Sequence, residues 1–346
     1  MKKKIIYLIL IIVLLLAMAL SLSFGAFYIP LKEIWLNMLQ KVGLFRATPI
    51  DELYGGVIDL VRWPRTLLGV LVGAALGISG AAIQAIFRNP LAEPGLIGVS
   101  AGASLVAASI IAFETMLFAS LGQLFGHYLL AVGAFAGAGI ATWMVYRISL
   151  HDGKPHIGTM ILAGVAINAL AGSLTGLISF LSDEQQLRTI TFWMLGSLGG
   201  ASWEAVWTMI PFVLLAVAGL PFLAKALNAF ALGEHEASQL GQNPQRIKIL
   251  VIILSTMAVG AAVSVSGIIG FVGLLVPHAV RMLGGSDNRY VLPASALLGS
   301  IILTVADLIA RTIVIPSEIP IGVVTALLGT PLFLYILIRD KKKIIV

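Results

Sequence analysis

Cysteine is absent from all 346 residues, which excludes a disulfide framework and a thiolate metal site alike. Charged residues are scarce at 11%, against 59% hydrophobic residues and a mean hydropathy of +1.02, so water cannot be the main solvent for this chain. A phosphate-cradling G-x-x-x-x-G-K-[ST] loop is also missing: the only Gly-Lys pair, Gly153-Lys154, is followed by Pro155. Any ATP that powers this protein must bind another subunit. The five histidines, His127, His151, His156, His235 and His278, show no metal-ligand spacing, and neither a metal nor another cofactor is expected. An enzyme embedded in a bilayer needs clustered ionisable groups within its apolar segments. Asp307 is the clearest ionisable residue there, four residues before Arg311, a spacing that suits a local helical ion pair.

Apolar sequence is what the chain has in abundance. A bilayer-spanning helix takes roughly 20 apolar residues, and ten such stretches lie near 5–27, 66–87, 95–113, 127–148, 158–181, 203–224, 248–266, 268–284, 291–310 and 319–338. The expected fold is an all-α membrane protein of about ten transmembrane helices, one domain over residues 1–346. Lys2-Lys3-Lys4, the apolar Ile5 to Leu20 and then Ser21 to Ala26 also fit a cleaved signal peptide. The apolar stretch is long and the rest of the chain equally hydrophobic, so an uncleaved first span is the simpler reading. Ten spans leave both termini on one side, and Lys2 to Lys4 with Lys341 to Lys343 make that side cytoplasmic. On this path 15 of the 22 basic residues fall inside, while Lys32, Lys41, Arg46, Arg62, Arg65, Arg188 and Arg311 fall outside. Topology thus accounts for the net charge of +6, and no nucleic-acid partner is expected.

Two segments repeat. Gly73-Ala-Ala-Leu-Gly-Ile-Ser-Gly80 and Gly260-Ala-Ala-Val-Ser-Val-Ser-Gly267 share five of eight residues, and the same offset carries Pro90 onto Pro277. They fall in spans two and seven, which run in opposite directions, as in the inverted repeats that let two halves of a transporter rock against each other. Chance matching among 36 glycines is the competing explanation. Small residues recur at Gly133, Gly137 and Gly139 of span four and Gly164, Gly172 and Gly176 of span five, where they allow close helix packing in lipid.

The largest inner loop, Lys225 to Ile247, carries its own structure signals. Glu234-His-Glu-Ala-Ser-Gln-Leu240 suits a short helix ending at Gly241, and Asn243-Pro244 reads as an N-cap followed by proline at the first helical position. Two short helices joined by a tight turn would project as a rigid knob suited to docking a motor subunit, unless the loop is merely solvated. On the outer side Arg62-Trp-Pro-Arg65 precedes span two, with the proline stiffening the approach. Exposed arginines at such a rim can pair with a partner's carboxylates or with lipid headgroups.

Taken together these features resemble the FecCD-type permeases of binding-protein-dependent importers for iron-siderophores, haem and cobalamin. The matching strings are Arg62 to Arg65, Gly73 to Gly80, Gln84-Ala-Ile-Phe-Arg-Asn-Pro-Leu-Ala-Glu-Pro-Gly-Leu-Ile-Gly-Val-Ser100 and Gly233-Glu-His-Glu-Ala-Ser-Gln-Leu-Gly241. Further matches are Gly270-Phe-Val-Gly-Leu-Leu-Val-Pro-His278 with Arg281, Ala306-Asp-Leu-Ile-Ala-Arg311 and Glu318-Ile-Pro-Ile-Gly-Val-Val-Thr325. Each is weak alone; their order and spacing across nearly the whole chain are specific.

The resemblance implies a permease without its own ATPase site, in the bacterial cytoplasmic membrane. It implies a homodimer of ten helices per subunit with the path at the dimer interface, two cytoplasmic ATP-binding subunits and an external solute-binding protein. Arg62, Arg65 and Arg311 would dock that binding protein through its glutamates. Gly233, Glu234, His235, Glu236, Ala237, Leu240, Gly241, Pro244 and Arg246, within the loop 225–247, would couple to the ATPase. The cargo would be an iron complex. The segment Gln186 to Trp203 is more similar to haem permeases, with ferric siderophore and then cobalamin as alternatives. A secondary transporter driven by an ion gradient is the competing function, for which intramembrane carboxylates would be essential.

Overall fold

The computed structural model describes residues 2–41, 43, 51–117 and 125–344; Arg46 of the expected outer set lies outside the described residues. The helices are α1 (Lys2–Ser23), α2 (Leu31–Lys41), α3 (Glu52–Val57), α4 (Trp63–Phe87), α5 (Val99–Leu117), α6 (Leu129–Ile148), α7 (Ile157–Leu181) and α8 (Glu184–Leu195). After them come α9 (Trp203–Phe222), α10 (Ala224–Phe230), α11 (Glu234–Gln239), α12 (Pro244–Ser266), α13 (Val272–Gly284), α14 (Asn288–Ala310) and α15 (Ile321–Ile344). A small hairpin pairs β1 (Leu150–His151) antiparallel with β2 (Lys154–Pro155). Among the described residues seven helices are long and apolar enough to cross a bilayer, and three shorter apolar ones, Val99–Phe113, Val272–Gly284 and Ile321–Tyr335, complete the ten expected. α1 packs as part of this bundle, with Tyr7 Oη donating to Tyr290 O at 3.2 Å and Ser21 Oγ 2.8 Å from Thr66 Oγ1.

The centre of the bundle is α4, which is almost wholly enclosed by other helices. It lies antiparallel to α14, because Gly73 faces Gly299 while Gly77 faces Ser295, and a Cβ on either α4 glycine would run into the opposing carbonyl. Lipid supplies no hydrophobic drive for helix association, so removing side chains at the crossing is what lets dispersion hold the two backbones together. Gly137 against Gly102 and Gly164 against the Leu96 carbonyl repeat the device. Gly139, Gly172 and Gly176 do not take part, since among the described residues nothing lies within 4 Å of a Cβ on any of them.

Two expected spans are broken. After Arg88 closes α4 in a left-handed conformation (φ 49°), the chain turns back. Its Pro94–Ile97 turn packs beside Gly273, which itself lies against Leu76 and Gly80 in the middle of α4. Asn168 Nδ2, midway along α7, donates to Gly95 O at 3.0 Å. The stretch expected to cross at 95–113 therefore starts at mid-depth. Likewise α12 ends at Gly267 (φ 69°), and α13 begins after Phe271 (φ 69°) at the same depth as Gly80, so 268–284 is a partial span. Non-helical backbone at this depth survives because protein surrounds it. The repeated octapeptide consequently differs in local structure: Gly73–Gly80 stays helical, whereas Gly267 terminates its helix.

α14 measures the depth of the molecule. At its start Asp287 accepts from Arg289 N (3.0 Å), Asn228 Nδ2 (2.8 Å) and Lys3 Nζ (3.2 Å). Near its end Asp307 accepts from Arg65. Twenty residues at about 1.5 Å each separate the two by about 30 Å, one hydrocarbon thickness. The N-terminus and the segment around Asn228 thus lie at one end of the bundle, and the arginine cluster lies at the other.

Candidate functional site

At the second end Arg62, Arg65 and Arg311 come together, but they are not exposed. Their fractional exposures are 4%, 7% and 5%. The reason is helical geometry. The approach to span two is not a loop: residues 53–87 form one continuous helical stretch, with a π-turn at Ile58–Arg62 that rotates both arginines toward the protein. Pro64 follows just after the π-turn, inside this continuous helical stretch. Arg62 donates to Phe24 O and, at 2.9 Å, to Phe27 O. Arg311 Nη2 donates to Ser21 O (2.6 Å) and Ser21 Oγ (2.7 Å), and its Nε lies 3.5 Å from Asp307 as the i, i+4 spacing anticipates.

Asp307 is more than a local partner. Arg65 Nε and Nη2 donate to its carboxylate at 3.0 and 2.9 Å, and Arg65 Nη1 and Nη2 donate to Glu318 at 2.6 and 2.8 Å. Three guanidinium groups against two carboxylates leave one positive charge in excess at this end. Arg65 holds the Glu318 carboxyl below the usual carboxylate range, and burial pushes Arg311 down to about 10, still cationic at neutral pH. Glu318, 40% exposed at its side chain, is the member that reaches the rim. Sequence reasoning gave Glu318 no role; an acidic residue in a loop beside a basic rim was the available signal.

At the opposite end the expected helix forms as α11, between Gly233 (φ 137°) and Gly241 (φ 77°). Asn243 caps the next helix by accepting from Arg246 N at 3.1 Å, with Pro244 in its first turn. That next helix is not short, however: it is the first turn of the 23-residue α12. Ala237 is buried and anchors α11, while Leu232 and Leu240 are exposed, an apolar pair on a polar knob. His235 and Glu236 point outward, with His235 Nε2 3.1 Å from Gln239 Nε2. Lys248, buried, donates to Glu234 Oε2 at 2.6 Å and to Pro155 O at 3.0 Å, and Gln245 Nε2 donates to Gly153 O at 2.9 Å. The β-hairpin thereby braces the knob, a contact between residues some 90 apart that no local pattern announces.

A third feature sits between the ends. Glu93, on the re-entrant segment, lines a cavity of about 350 Å³ with Ser100, Ser104 and Asn168. It is an acidic group at membrane depth that the sequence reading placed inside a matching string without singling it out.

The FecCD transport family model matches residues 11–339. The chain is 40% identical over 324 residues to the hemin transport system permease protein HmuU of Yersinia pestis, covering 93% of this chain and 92% of that one. It is 39% identical over 293 residues to the cobalamin import system permease protein BtuC of Halobacterium salinarum, covering 85% and 76%. A solved structure, an inward-facing conformation of a metal-chelate type ABC transporter, superposes with a TM-score of 0.83 at 32% identity over 97% of this chain and 99% of the other.

Proposed function

Because the chain belongs to the FecCD transport family, we propose that it forms half of a homodimeric pore whose cargo is an iron complex, haem first. Proteins of this family are permease subunits of ABC importers, multi-pass components of the inner membrane. In the reading advanced here two ATP-binding subunits grip the knob of Gly233 to Arg246 on the cytoplasmic side, and an external binding protein docks on the end holding Arg62, Arg65 and Arg311. Both termini are cytoplasmic and residues 1–346 act as one permease domain. Nucleotide is hydrolysed elsewhere: the knob receives the stroke, and the bundle rocks to pass the cargo inward.

The observation that carries this reading is the chemical polarity of the bundle, with a cationic cluster at one end of α14 and, about 30 Å along it at the other, the Asn228 segment that leads into the braced knob. The homodimer is supported by α7, where a Cβ on Gly172 or Gly176 would meet nothing within 4 Å among the described residues, leaving a small-residue face of the kind that pairs helices in lipid. For cargo, nearly equal identities to hemin and cobalamin permeases do not discriminate, so haem rests on the Gln186 to Trp203 resemblance, with ferric siderophore and cobalamin next.

Absence of native cysteine makes the test direct. Ser317→Cys and Ser238→Cys stand at exposed positions at opposite ends. In intact cells a membrane-impermeant maleimide should label the first and spare the second; the reverse pattern would invert the orientation. In proteoliposomes with its ATPase and binding protein, the chain should move hemin only when ATP is supplied. Uptake driven by an ion gradient without nucleotide would instead favour a secondary transporter using Glu93.

A further inference from the structure

Arg65 divides its guanidinium between two carboxylates of different accessibility. The Asp307 side chain is 3% exposed and cannot be reached from outside, whereas that of Glu318 is 40% exposed. Together they engage Nε, Nη1 and both protons of Nη2, four of the five N–H donors of a guanidinium. An incoming carboxylate can take the fork on Arg65 only by replacing Glu318.

Glu318 is also tied to the backbone around it. The next residue, Ile319, donates its N–H to Ala310 O at 3.0 Å, and Ile321 donates to Gly196 O at 3.0 Å. At that point three chain segments cross without room for a Cβ: Gly196 against Ile268, Gly267 against Trp193, and Gly322 against Leu195. Ser197 N donates to Ser266 O at 2.8 Å in the same crossing. Three residues therefore link the rim carboxylate to the C-terminal end of α8, the end of α12 and the start of α15.

Resting on the docking reading above, we infer that Glu318 is an internal stand-in for the binding protein's carboxylate: it occupies Arg65 in the undocked chain, and its displacement loosens the Ile321–Gly196 link, signalling docking to α8. Exchanging one carboxylate for another on the same guanidinium leaves the charge balance unchanged, so the swap is nearly isoenergetic and reversible. Removing Asp307 would not do the same, because it is buried between two arginines and its loss would strand both.

The experiment uses the chain in nanodiscs with its ATPase, titrated with the purified solute-binding protein encoded with it. Glu318→Gln removes the competitor while keeping its shape, and affinity should rise about five- to tenfold, the scale of a partly exposed pair. Amide exchange at 193–197 and 319–322 in the free variant should match the level that the wild type reaches only when docked. Glu318→Asp, charged but shorter, should fall between. Unchanged affinity with unchanged exchange overturns the stand-in role. Should Glu318→Gln fail to fold, the wild type still decides, since exchange at 319–322 that does not respond to docking also overturns it. The docking reading is checked separately by Ser317→Cys carrying a bulky maleimide. If the adduct blocks binding while Glu318→Gln does nothing, only the stand-in role falls; if the adduct leaves binding intact, both fall.

Discussion

Replacing Asp307 with alanine should be among the most damaging single changes in this protein. Asp307 accepts from Arg65 at 3.0 and 2.9 Å and faces Arg311 at 3.5 Å, all three side chains being less than 10% exposed. The substitution raises the excess positive charge of the cluster from one to two in a region that water cannot reach. Breaking a buried pair by removing one partner costs about 3–5 kcal/mol, mostly the penalty of the stranded charge. Here the stranded groups are two, and Glu318 can compensate only Arg65. Glu318→Gln should cost no more than about 1 kcal/mol, because its carboxylate is 40% exposed and solvent replaces much of what is lost. Unfolding in mixed detergent micelles, followed by tryptophan fluorescence, measures both variants on one scale. If the two cost the same, or if Asp307→Ala costs less than about 1 kcal/mol, the buried-anchor account is wrong.

Gly77→Leu should prevent α4 and α14 from meeting, since a Cβ there already overlaps Ser295 O, and the variant should be recovered misfolded. Gly176→Leu, with nothing within 4 Å, should leave the single chain folded and change only the monomer–dimer balance seen by cross-linking. Lys248→Met should cost about 1.5–3 kcal/mol for its charged hydrogen bonds to Glu234 and Pro155. It should also lower transport per ATP hydrolysed, because the knob loses its brace; full coupling would count against that role. For pH, Arg65 lowers the folded-state pKa of Glu318, so its contribution is present above the ordinary carboxylate value of about 4.3 and is lost as pH falls through the lower folded value. Exchange at Ile321 should accordingly accelerate only in that acidic range, and a transition near neutrality would contradict the assignment.

Much of the plan was legible in the chain itself. Ten apolar stretches and the capping pattern at Asn243-Pro244 are local or compositional signals, and both reappear in the structure, with two of the stretches broken at mid-depth. The exposed-arginine expectation failed for an equally physical reason. Rim position was inferred from a path that began span two at residue 66, whereas helix continues from residue 53 and a π-turn redirects Arg62 and Arg65 inward. The spans at 95–113 and 268–284 looked continuous because hydropathy reports solvent preference along the chain and cannot see where backbone turns back at mid-depth.

Sequence alone determined that this protein is built of apolar, membrane-spanning helices and that it carries no G-x-x-x-x-G-K-[ST] loop, because composition acts through solvent and a motif is local, so neither needs a partner in space. Only the tertiary structure decided which carboxylates hold which arginines, and that a hairpin near residue 153 steadies a knob near residue 240. Those contacts join residues far apart in the chain, and their energies exist only once packing has excluded water from between them.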